Sequence, residues 1–551
     1  MNVSSSRPWQ ALYPPGLDPD VGGAFDNVVA AWRHRVETAG ESPALAYFDT
    51  VLSTTRVDEM SDDLAAGLAE LGVQSGDRVG IYLQNVPQYA LSLLALWKLG
   101  AAAVVLNPMY RGQELSALVV DSGAIGIIAA DTDVEQVWRS LEGSEVRWVV
   151  STNERDLQSR YDRSSVARPA EVPGTDLLEL IERHDGAGPP ASNVDGSTLA
   201  LLAYTSGTTG PAKGAMNTHS NVMAVATSYA KYVDVQPGDA VLAIAPLFHI
   251  TGAVSNAVLA LVSQCSLVHV GRFDAELVVD AIAEHGVTFT VGSITAFNAI
   301  LRTEHTSKQH FASVKCLYSG GAPIPPSTVE RFEERFGHYI HNVYGMTETS
   351  SAVVGVPRGR RAPVDPGSGT LSIGVPLPGL DVRVVAASGA DVRPGEQGEL
   401  LMAGPQVIAG YWEQPEATRE AFVDGFLRSG DVAIMDPEGW VYLVDRMKDQ
   451  INVSGYKVWP REVEDALYEH PAVFEAAVIG VPDEYRGESV AAFVSLKDDA
   501  EADEDELIRF AGERLAAYKR PREIHLVDDL PKTQTGKIRR RALRDDYSPP
   551  Q

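Results

Sequence analysis

The sequence has little cysteine, no long apolar run and too few basic residues to balance its acidic ones. Only two cysteines occur among 551 residues, Cys265 and Cys316, and both lie in apolar segments. Two such thiols exclude a disulfide framework and a cysteine-based zinc site, and they predict buried free thiols. Neither a signal-peptide core nor about 18 consecutive apolar residues can be found. We therefore expect a soluble cytoplasmic protein without transmembrane anchoring.

The shortage of positive charge argues against large polyanionic partners. Lysine and arginine number 46 against 74 aspartates and glutamates, which gives a net charge of −28. A chain this acidic binds nucleic acids and anionic membranes poorly, because phosphate binding draws on clustered basic side chains. A hydrophobic content of 44% and a charged content of 22% are nevertheless those of an ordinary folded protein. At roughly 150 residues per domain, the length predicts about three to four domains or subdomains.

Strand-like and helix-like segments alternate from about residue 25, after a proline-rich stretch at 1–20 that we interpret as an extended arm. Apolar runs typical of buried strands cover 79–85, 101–107, 199–204, 241–247, 287–291 and 315–319. Helical spacing covers 60–71, 89–99, 275–284 and 327–336, and the polar stretch 151–196 holds one short helix near 177–183. This alternation predicts an α/β fold in which helices cover parallel sheets.

The pattern changes twice in the C-terminal third. Residues 370–446 are rich in glycine and proline and carry short alternating runs, which predicts a small β-rich subdomain. A shorter α/β pattern then returns, with helices at 461–469 and 504–517 and strands at 476–481 and 491–496.

A loop rich in glycine and hydroxyl groups follows the strand at 199–204. The string YTSGTTGPAKG occupies 204–214 and carries Lys213 near its end. Glycines let backbone N–H groups turn toward an anion, hydroxyl groups add donors, and a lysine adds a point charge. The string therefore predicts a phosphate-binding loop, although its spacing is not that of a Walker A loop.

Further strings follow in a fixed order. They are SGGAP (319–323), NVYGMTET (342–349), SGD (429–431), DRMKDQINVSGYKVWPREVE (445–464) and PKTQTGKIRR (531–540). Together with the loop they resemble the adenylate-forming, or AMP-binding, superfamily of acyl-CoA synthetases, peptide-synthetase adenylation domains and beetle luciferases. The resemblance spans about residues 25–545. Two positions depart from the family pattern, since Pro211 comes one position early and Ser429 stands where threonine is usual.

The resemblance implies a site for ATP in which single residues have distinct roles. Lys537 would bridge the reacting carboxylate and the α-phosphate, Glu348 would hold Mg²⁺ together with Thr205, and Asp431 and Arg446 would bind the ribose. The implied ATP- and AMP-binding residues are Thr205, Ser206, Gly207, Thr208, Thr209, Gly210, Lys213, Gly321, Ala322, Tyr344, Gly345, Met346, Thr347, Glu348, Asp431, Arg446 and Lys537.

The resemblance also implies two domains that rotate between two half-reactions. A large AMP-binding domain would cover 1–447 and a small mobile α+β domain 448–551, with Lys448 as the hinge. Gly455 would open a tunnel for the pantetheine arm of coenzyme A, beside Tyr456 and Lys457. His249 would gate this tunnel and join Lys537 and Glu348 as a catalytic residue, the alternative being a structural histidine at a strand end.

The function implied is that of an ATP-dependent acyl-CoA ligase whose substrates are a small-molecule carboxylic acid, ATP and coenzyme A. Small or apolar residues expected to line the acyl pocket favour a medium- or long-chain fatty acid: Ala253, Val254, Ala257, Gly292, Phe297 and Ser319. An aryl acid is the alternative substrate. An adenylation enzyme serving a carrier protein, a luciferase-like oxygenase and, least favoured, a non-catalytic nucleotide-binding regulator are alternative functions. No nucleic acid is expected as a partner, and a homodimer stays open.

One segment runs against the overall charge. Between Lys519 and Arg541 there are eight basic residues against three acidic ones. We interpret this segment as a local region of positive charge that attracts the polyanionic substrates ATP and coenzyme A.

Overall fold

The computed structural model describes residues 7–20, 22–160, 174–205, 212–322, 324–366, 370–446, 449–454, 456–483, 485–497, 500–533 and 538–547. These residues form four β-sheets with helices packed against them, so the predicted α/β class is confirmed. None of the helices in these ranges combines the length and the apolar character needed to cross a membrane. Cys265 and Cys316 are buried free thiols, and burial raises the pKa of both to about 12.

The N-terminal third alternates between strand and helix. Its elements are α1 (Val28–Ala39), β1 (Pro43–Tyr47), β2 (Thr50–Ser53), α2 (Thr54–Glu70), β3 (Arg78–Tyr82), α3 (Pro87–Lys98), β4 (Ala102–Val105), α4 (Gly112–Ser122), β5 (Gly126–Ala130), α5 (Val134–Arg139), β6 (Trp148–Thr152), β7 (Thr175–Asp176), α6 (Leu177–Arg183), β8 (Leu199–Thr205) and β9 (Lys213–Thr218). Seven strands form a sheet in the order β7-β6-β5-β3-β4-β8-β9, parallel except for the last pair. Strands such as β4 and β5 are buried throughout, which explains their continuous apolar sequences.

The middle of the chain builds a second, larger sheet. Its elements are α7 (His219–Val233), β10 (Ala240–Leu242), α8 (Leu259–Val262), β11 (Ser266–His269), α9 (Ala275–Glu284), β12 (Phe289–Gly292), α10 (Ile294–Ile300), β13 (Cys316–Ser319), α11 (Pro326–Phe336), β14 (Ile340–Met346), β15 (Ser351–Gly355) and β16 (Val375–Pro376). With β1 and β2 they give nine described strands in the order β16-β15-β14-β13-β12-β10-β11-β1-β2. Strands β10, β12, β13 and β14 run parallel, so their carboxyl ends share one edge of the sheet.

The last two sheets are small. The elements of the first are β17 (Asp381–Val385), β18 (Gln397–Ala403), α12 (Pro415–Ala421), β19 (Phe422–Val423), β20 (Phe426–Met435) and β21 (Val441–Arg446), which match the predicted β-rich subdomain. The elements of the second are β22 (Ile451–Val453), β23 (Tyr456–Val458), α13 (Pro460–Tyr468), β24 (Val473–Asp483), β25 (Gly487–Leu496), α14 (Glu504–Arg514), β26 (Glu523–Leu526) and α15 (Arg540–Asp546). We call this second group the C-terminal sheet.

Two predicted elements have different bounds because side chains intervene. The helix predicted at 60–71 begins at Thr54, since the Ser53 side chain caps its first turn. The strand predicted at 241–247 ends at Leu242. The residues beyond it bond to the amide of Asn85 instead, which donates to the carbonyl oxygens of Ala243 (2.7 Å) and Ala245 (2.9 Å).

The prediction of an extended N-terminal arm is wrong for its described part. Residues Pro8–Leu12 form a 3₁₀-helix, and Trp9 is only 2% exposed. The Arg7 guanidinium donates to both carboxylate oxygens of Asp381, at 2.8 and 3.0 Å, and the Tyr13 hydroxyl donates to the carbonyl oxygen of Pro376 at 2.7 Å. The stretch therefore ties β16 of the large sheet to β17 of the β-rich one.

Gly374 lies where the backbone leaves no room for a side chain. Its φ is +105°, and a Cβ atom there would lie 1.8 Å from the carbonyl carbon of Gly355. We expect Gly374→Ala to lower the free energy of unfolding by about 2–5 kcal/mol, through strain and overpacking. Gly389→Ala is the control, since its φ is also positive (+82°) but nothing lies within 4 Å, and it should cost only about 1–2 kcal/mol. Equal losses in urea denaturation would contradict the steric argument.

Candidate functional site

The predicted site residues from 344 to 348 lie at a turn where β14 ends. The chain forms a short 3₁₀ turn, Thr347–Thr349, and then returns antiparallel as β15. Gly345 permits this return, because a Cβ atom there would lie 1.8 Å from the carbonyl oxygen of Ser351. The turn is also held from within, since the Met346 N–H donates to the Thr349 hydroxyl at 2.8 Å. The position of Glu348 is therefore set by the backbone.

Glu348 is 8% exposed and is held by a tyrosine. The Tyr411 hydroxyl donates to Glu348 Oε1 at 2.8 Å. Burial, and then the neighbouring carboxylate, raise the pKa of Tyr411, so its hydroxyl stays a proton donor. Lys213 Nζ lies 5.2 Å from the centre of the same ring. A carboxylate and an ammonium group thus share one aromatic side chain.

Main-chain hydrogen bonds hold this cluster together. The Trp412 N–H donates to the carbonyl oxygen of Gly214, beside Lys213 on β9, at 2.8 Å. The Ile408 N–H donates to the carbonyl oxygen of Glu348 at 2.9 Å. The segment that carries Tyr411 is therefore bonded to the edge strand β9 on one side and to the Glu348 turn on the other.

The predicted phosphate loop begins and ends beside this cluster. Thr205 and Lys213 face each other in register across the antiparallel pair β8 and β9, and both strands contact the turn that carries Glu348. The strand that ends at Thr205 thus packs against the turn that carries Glu348. The remaining predicted loop residues lie outside the described part of the chain: Ser206, Gly207, Thr208, Thr209 and Gly210.

The Tyr344 side chain contacts one of the two residues predicted to bind the ribose. Its hydroxyl donates to Asp431 Oδ2 at 2.7 Å, and Asp431 is 8% exposed on β20. Asp431 pairs in register with Arg446 on β21, so the two residues predicted for the ribose are cross-strand neighbours. For Arg446 only the strand position is described. An aromatic ring and a carboxylate therefore lie together, as a nucleoside site requires.

The turn predicted to line the adenine pocket lies at the same edge. Gly321 and Ala322 follow β13, whose last residue, Ser319, is in register with Asn342 on β14. Open α/β sheets bind ligands outside the carboxyl ends of their parallel strands. The 320–322 turn and Tyr344 both occupy this location.

His249 follows β10 near the same edge. Its ring is partly buried, and its Nδ1 accepts a hydrogen bond from the Thr251 N–H at 3.3 Å. A π-helix, Thr251–Val258, begins directly after it and packs against α7, β12 and β15. The Ser255 and Ser351 hydroxyls are 2.7 Å apart, so this helix is bonded to the end of the Glu348 turn. Such π-helical segments are rare and frequently occur at functional sites.

The residues predicted for coenzyme A and for the hinge are described only in part. Tyr456 is 59% exposed and stacks on Tyr518 with ring centres 4.8 Å apart, and Lys457 lies on β23. Three predicted residues lie outside the described ranges: Lys448, Gly455 and Lys537. Their proposed roles rest on the sequence.

Sequence reasoning missed two residues that hold the site. Tyr411 lies in the run GYW at 410–412, in a stretch without regular spacing, and only the fold brings it to Glu348. Asn217 lies inside β9, where its side chain accepts a hydrogen bond from the Ser350 hydroxyl at 2.8 Å. A buried asparagine in a strand is a signal for a polar partner, but it does not name that partner.

Comparison with known proteins identifies the family. The AMP-binding enzyme model matches residues 32–412, and the AMP-binding enzyme C-terminal domain model matches 462–537. A long-chain-fatty-acid–CoA ligase of Yersinia pestis is 34% identical over 557 residues, which cover 98% of this chain and 97% of that protein.

Two solved structures share the fold. ATP-bound MatB from Rhodopseudomonas palustris is 27% identical with a TM-score of 0.84, over 95% of this chain and 99% of that one. The anthranilate–CoA ligase AuaEII in complex with anthranoyl-AMP is 26% identical with a TM-score of 0.85, over 96% and 98%. As its motifs predict, and as a family model matching well over half of its length shows, the chain belongs to the AMP-binding enzyme family.

Proposed function

We propose that this protein is an ATP-dependent acyl-CoA ligase, which activates a carboxylic acid as acyl-AMP and then transfers the acyl group to coenzyme A. One observation carries the proposal: the Tyr344–Asp431 pair and the Glu348–Tyr411–Lys213 cluster meet around one turn at a sheet edge. The pair suits a nucleoside, and the cluster suits phosphates with a bound metal ion. Both are needed by an enzyme that uses ATP.

The chemistry explains why these groups are needed. A carboxylate oxygen attacks the α-phosphorus of ATP, a phosphorus–oxygen bond forms, and the bond to the β-phosphate breaks to release pyrophosphate. Catalysis depends on positioning and on stabilising the charge that develops on the phosphates. We assign Lys537 to the carboxylate and α-phosphate, and Lys213 to the departing pyrophosphate. The thiol of coenzyme A then loses its proton to solvent, and its sulfur attacks the acyl carbon. A carbon–sulfur bond forms, and the bond between the acyl carbon and the phosphate oxygen breaks to release AMP.

Mg²⁺ fits the donor set around Glu348. This ion is usually bound through one or two carboxylates together with substrate phosphates and water. Glu348 offers a buried carboxylate that Tyr411 orients through one oxygen, and the Thr205 hydroxyl belongs to a strand that contacts the same turn. When bound, the ion would neutralise phosphate charge.

A medium- or long-chain fatty acid is the acid we propose. The π-helix that follows His249 is buried over Gly252–Val258 and presents small or apolar residues such as Ala253, Val254 and Ala257. The name of the Yersinia relative supports this class. An aryl acid is the second candidate, supported by the AuaEII structure with its aromatic adenylate. The homodimer and the cytoplasmic location stay predictions.

Acid-dependent release of pyrophosphate tests the proposal directly. A panel of fatty acids of short, medium and long chain, with benzoate and anthranilate, is assayed with ATP and Mg²⁺ in the presence and absence of coenzyme A. We expect a burst of about one pyrophosphate per enzyme without coenzyme A, and sustained turnover with acyl-CoA formation when it is present. Failure of every acid to release pyrophosphate would favour the non-catalytic regulator. Pyrophosphate release that coenzyme A never accelerates would favour the carrier-protein or oxygenase alternative.

Tyr411→Phe tests the role of the hydroxyl that orients Glu348. We expect the half-saturating concentration of Mg²⁺ for adenylate formation to rise about tenfold, because partners that orient a metal ligand affect metal affinity to this extent. Tyr442→Phe is the control, since the Tyr442 hydroxyl donates to Asp436 at 3.2 Å on the β-rich sheet, outside the site described here. A magnesium dependence that does not change in Tyr411→Phe, or changes equally in both variants, would remove Tyr411 from the site.

Lys537→Ala and Gly455→Leu test whether the two half-reactions use different faces of the small domain predicted at 448–551. Lys537→Ala should lose about a hundredfold or more in adenylate formation, yet still convert supplied acyl-AMP and coenzyme A to the thioester. Gly455→Leu should do the reverse, because its side chain would block the tunnel. Equal losses in both half-reactions for either variant would show that the faces are not separate.

A further inference from the structure

A cation–π contact joins the large sheet to the C-terminal sheet. Arg302 lies two residues after α10, and its guanidinium carbon is 3.9 Å from the centre of the Phe474 ring on β24. We call residues 7–446 the large part and residues 449–547 the C-terminal part. The contact therefore crosses between the two parts on either side of the predicted hinge.

Phe474 lies next to Glu475, the residue to which the chain before Lys537 is bonded. Its neighbour Glu475 pairs with Lys532 at 2.7 Å. Lys532 in turn forms an antiparallel bridge with Ile538, and the two residues flank the segment that contains Lys537. Arg302 thus contacts the C-terminal part on β24, the strand to which Lys532, just before the Lys537 segment, is bonded.

Ion pairs place the residues just beyond Lys537 at the end of the large part. Arg540 pairs with Glu464 at 2.6 Å and with Asp445 at 3.3 Å, so the chain just beyond Lys537 is bonded to the end of β21. By contrast, Ser454 and Tyr456, which flank Gly455, are exposed. Under the proposed function, adenylate formation requires the chain around Lys537 to be held against the large part in this way.

We propose that Arg302 and Phe474 are positioning residues for the first half-reaction: their contact holds the arrangement in which the Lys537 segment faces the nucleotide, and it opens for thioester formation. The inference rests on the proposed function. A cation–π contact at an exposed arginine is weak enough to open in each catalytic cycle.

A pair of like charges, Lys497 and Arg331, lies across the same boundary. Lys497 on the C-terminal part lies close enough to Arg331 on α11 that this like charge, after the larger effect of burial, lowers the pKa of Lys497. This like-charged pair adds no attraction between the two parts. Removing the attraction at Arg302 should therefore shift the balance between the two arrangements.

The test measures the half-reactions separately in Arg302→Ala and Phe474→Leu. Adenylate formation is followed by acid-dependent exchange of pyrophosphate into ATP, and thioester formation by mixing supplied acyl-AMP with coenzyme A. We expect exchange to fall about two- to fivefold in both variants, as loss of a cation–π contact at an exposed arginine predicts, while thioester formation is unchanged or faster. Arg302→Lys should recover part of the exchange, because an ammonium group also binds a ring face. The double variant should lose no more than Arg302→Ala alone, since that change already removes the contact with Phe474.

Arg361→Ala is the matched control. It removes a cation–π contact of Arg361 with Tyr339, at 5.0 Å, that lies entirely within the large part, and it should leave both half-reactions unchanged. The inference is overturned if Arg302→Ala and Phe474→Leu leave exchange intact, or if they lower both half-reactions together. A wild-type protein without acid-dependent exchange would instead overturn the proposed function, so the two failures are distinguishable.

Discussion

The close approach of Gly345 to the Ser351 carbonyl is the constraint on which the rest of the site depends. Only a residue without a side chain lets β15 return against β14 at this distance. The turn thereby presents Tyr344 to Asp431 on the β-rich sheet and Glu348 to Tyr411 at the edge of the seven-stranded sheet. Three sheets built from distant parts of the chain thus meet around one tight turn, and the candidate nucleotide site lies at this junction.

The sequence predicted the parts of this junction but not their contacts. The strand end at Ser319 could be found because a buried parallel strand is a continuous apolar run that stops where its polar turn begins. The partnership of Glu348 with Tyr411 could not be found, because the two residues are 63 positions apart and no periodic pattern connects them. The early end of β10 was missed for the same reason, since a single amide from Asn85 replaces the strand ladder there.

Ion pairs of the C-terminal part fix the position of the chain that follows Lys537. Arg540 is held between Glu464 and Asp445, and burial is the largest influence that raises the pKa of Glu464. Buried ion pairs of this kind add little net stability, but losing one partner leaves the others uncompensated. Their effect here is geometric: they fix where the chain beyond Lys537 lies relative to β21. A lysine with the role proposed for Lys537 needs such an anchor, because its charge acts only over a short distance.

The same contacts change the interpretation of the basic segment between Lys519 and Arg541. Among the described residues of this segment, four basic side chains are paired with carboxylates from outside it: Lys519 with Glu462, Lys532 with Glu475, Arg540 with Glu464, and Arg541 with Asp545. A count of charges therefore overstates the positive charge that the segment has available to bind a substrate. Ionic screening reduces the influence of distant exposed charges beyond about 8 Å at physiological salt, so the net charge of −28 weighs little against a few well-placed cations. A long nucleic acid would have to contact the acidic surface over many phosphates, whereas the site proposed for ATP needs only a few local cations and hydrogen-bond donors.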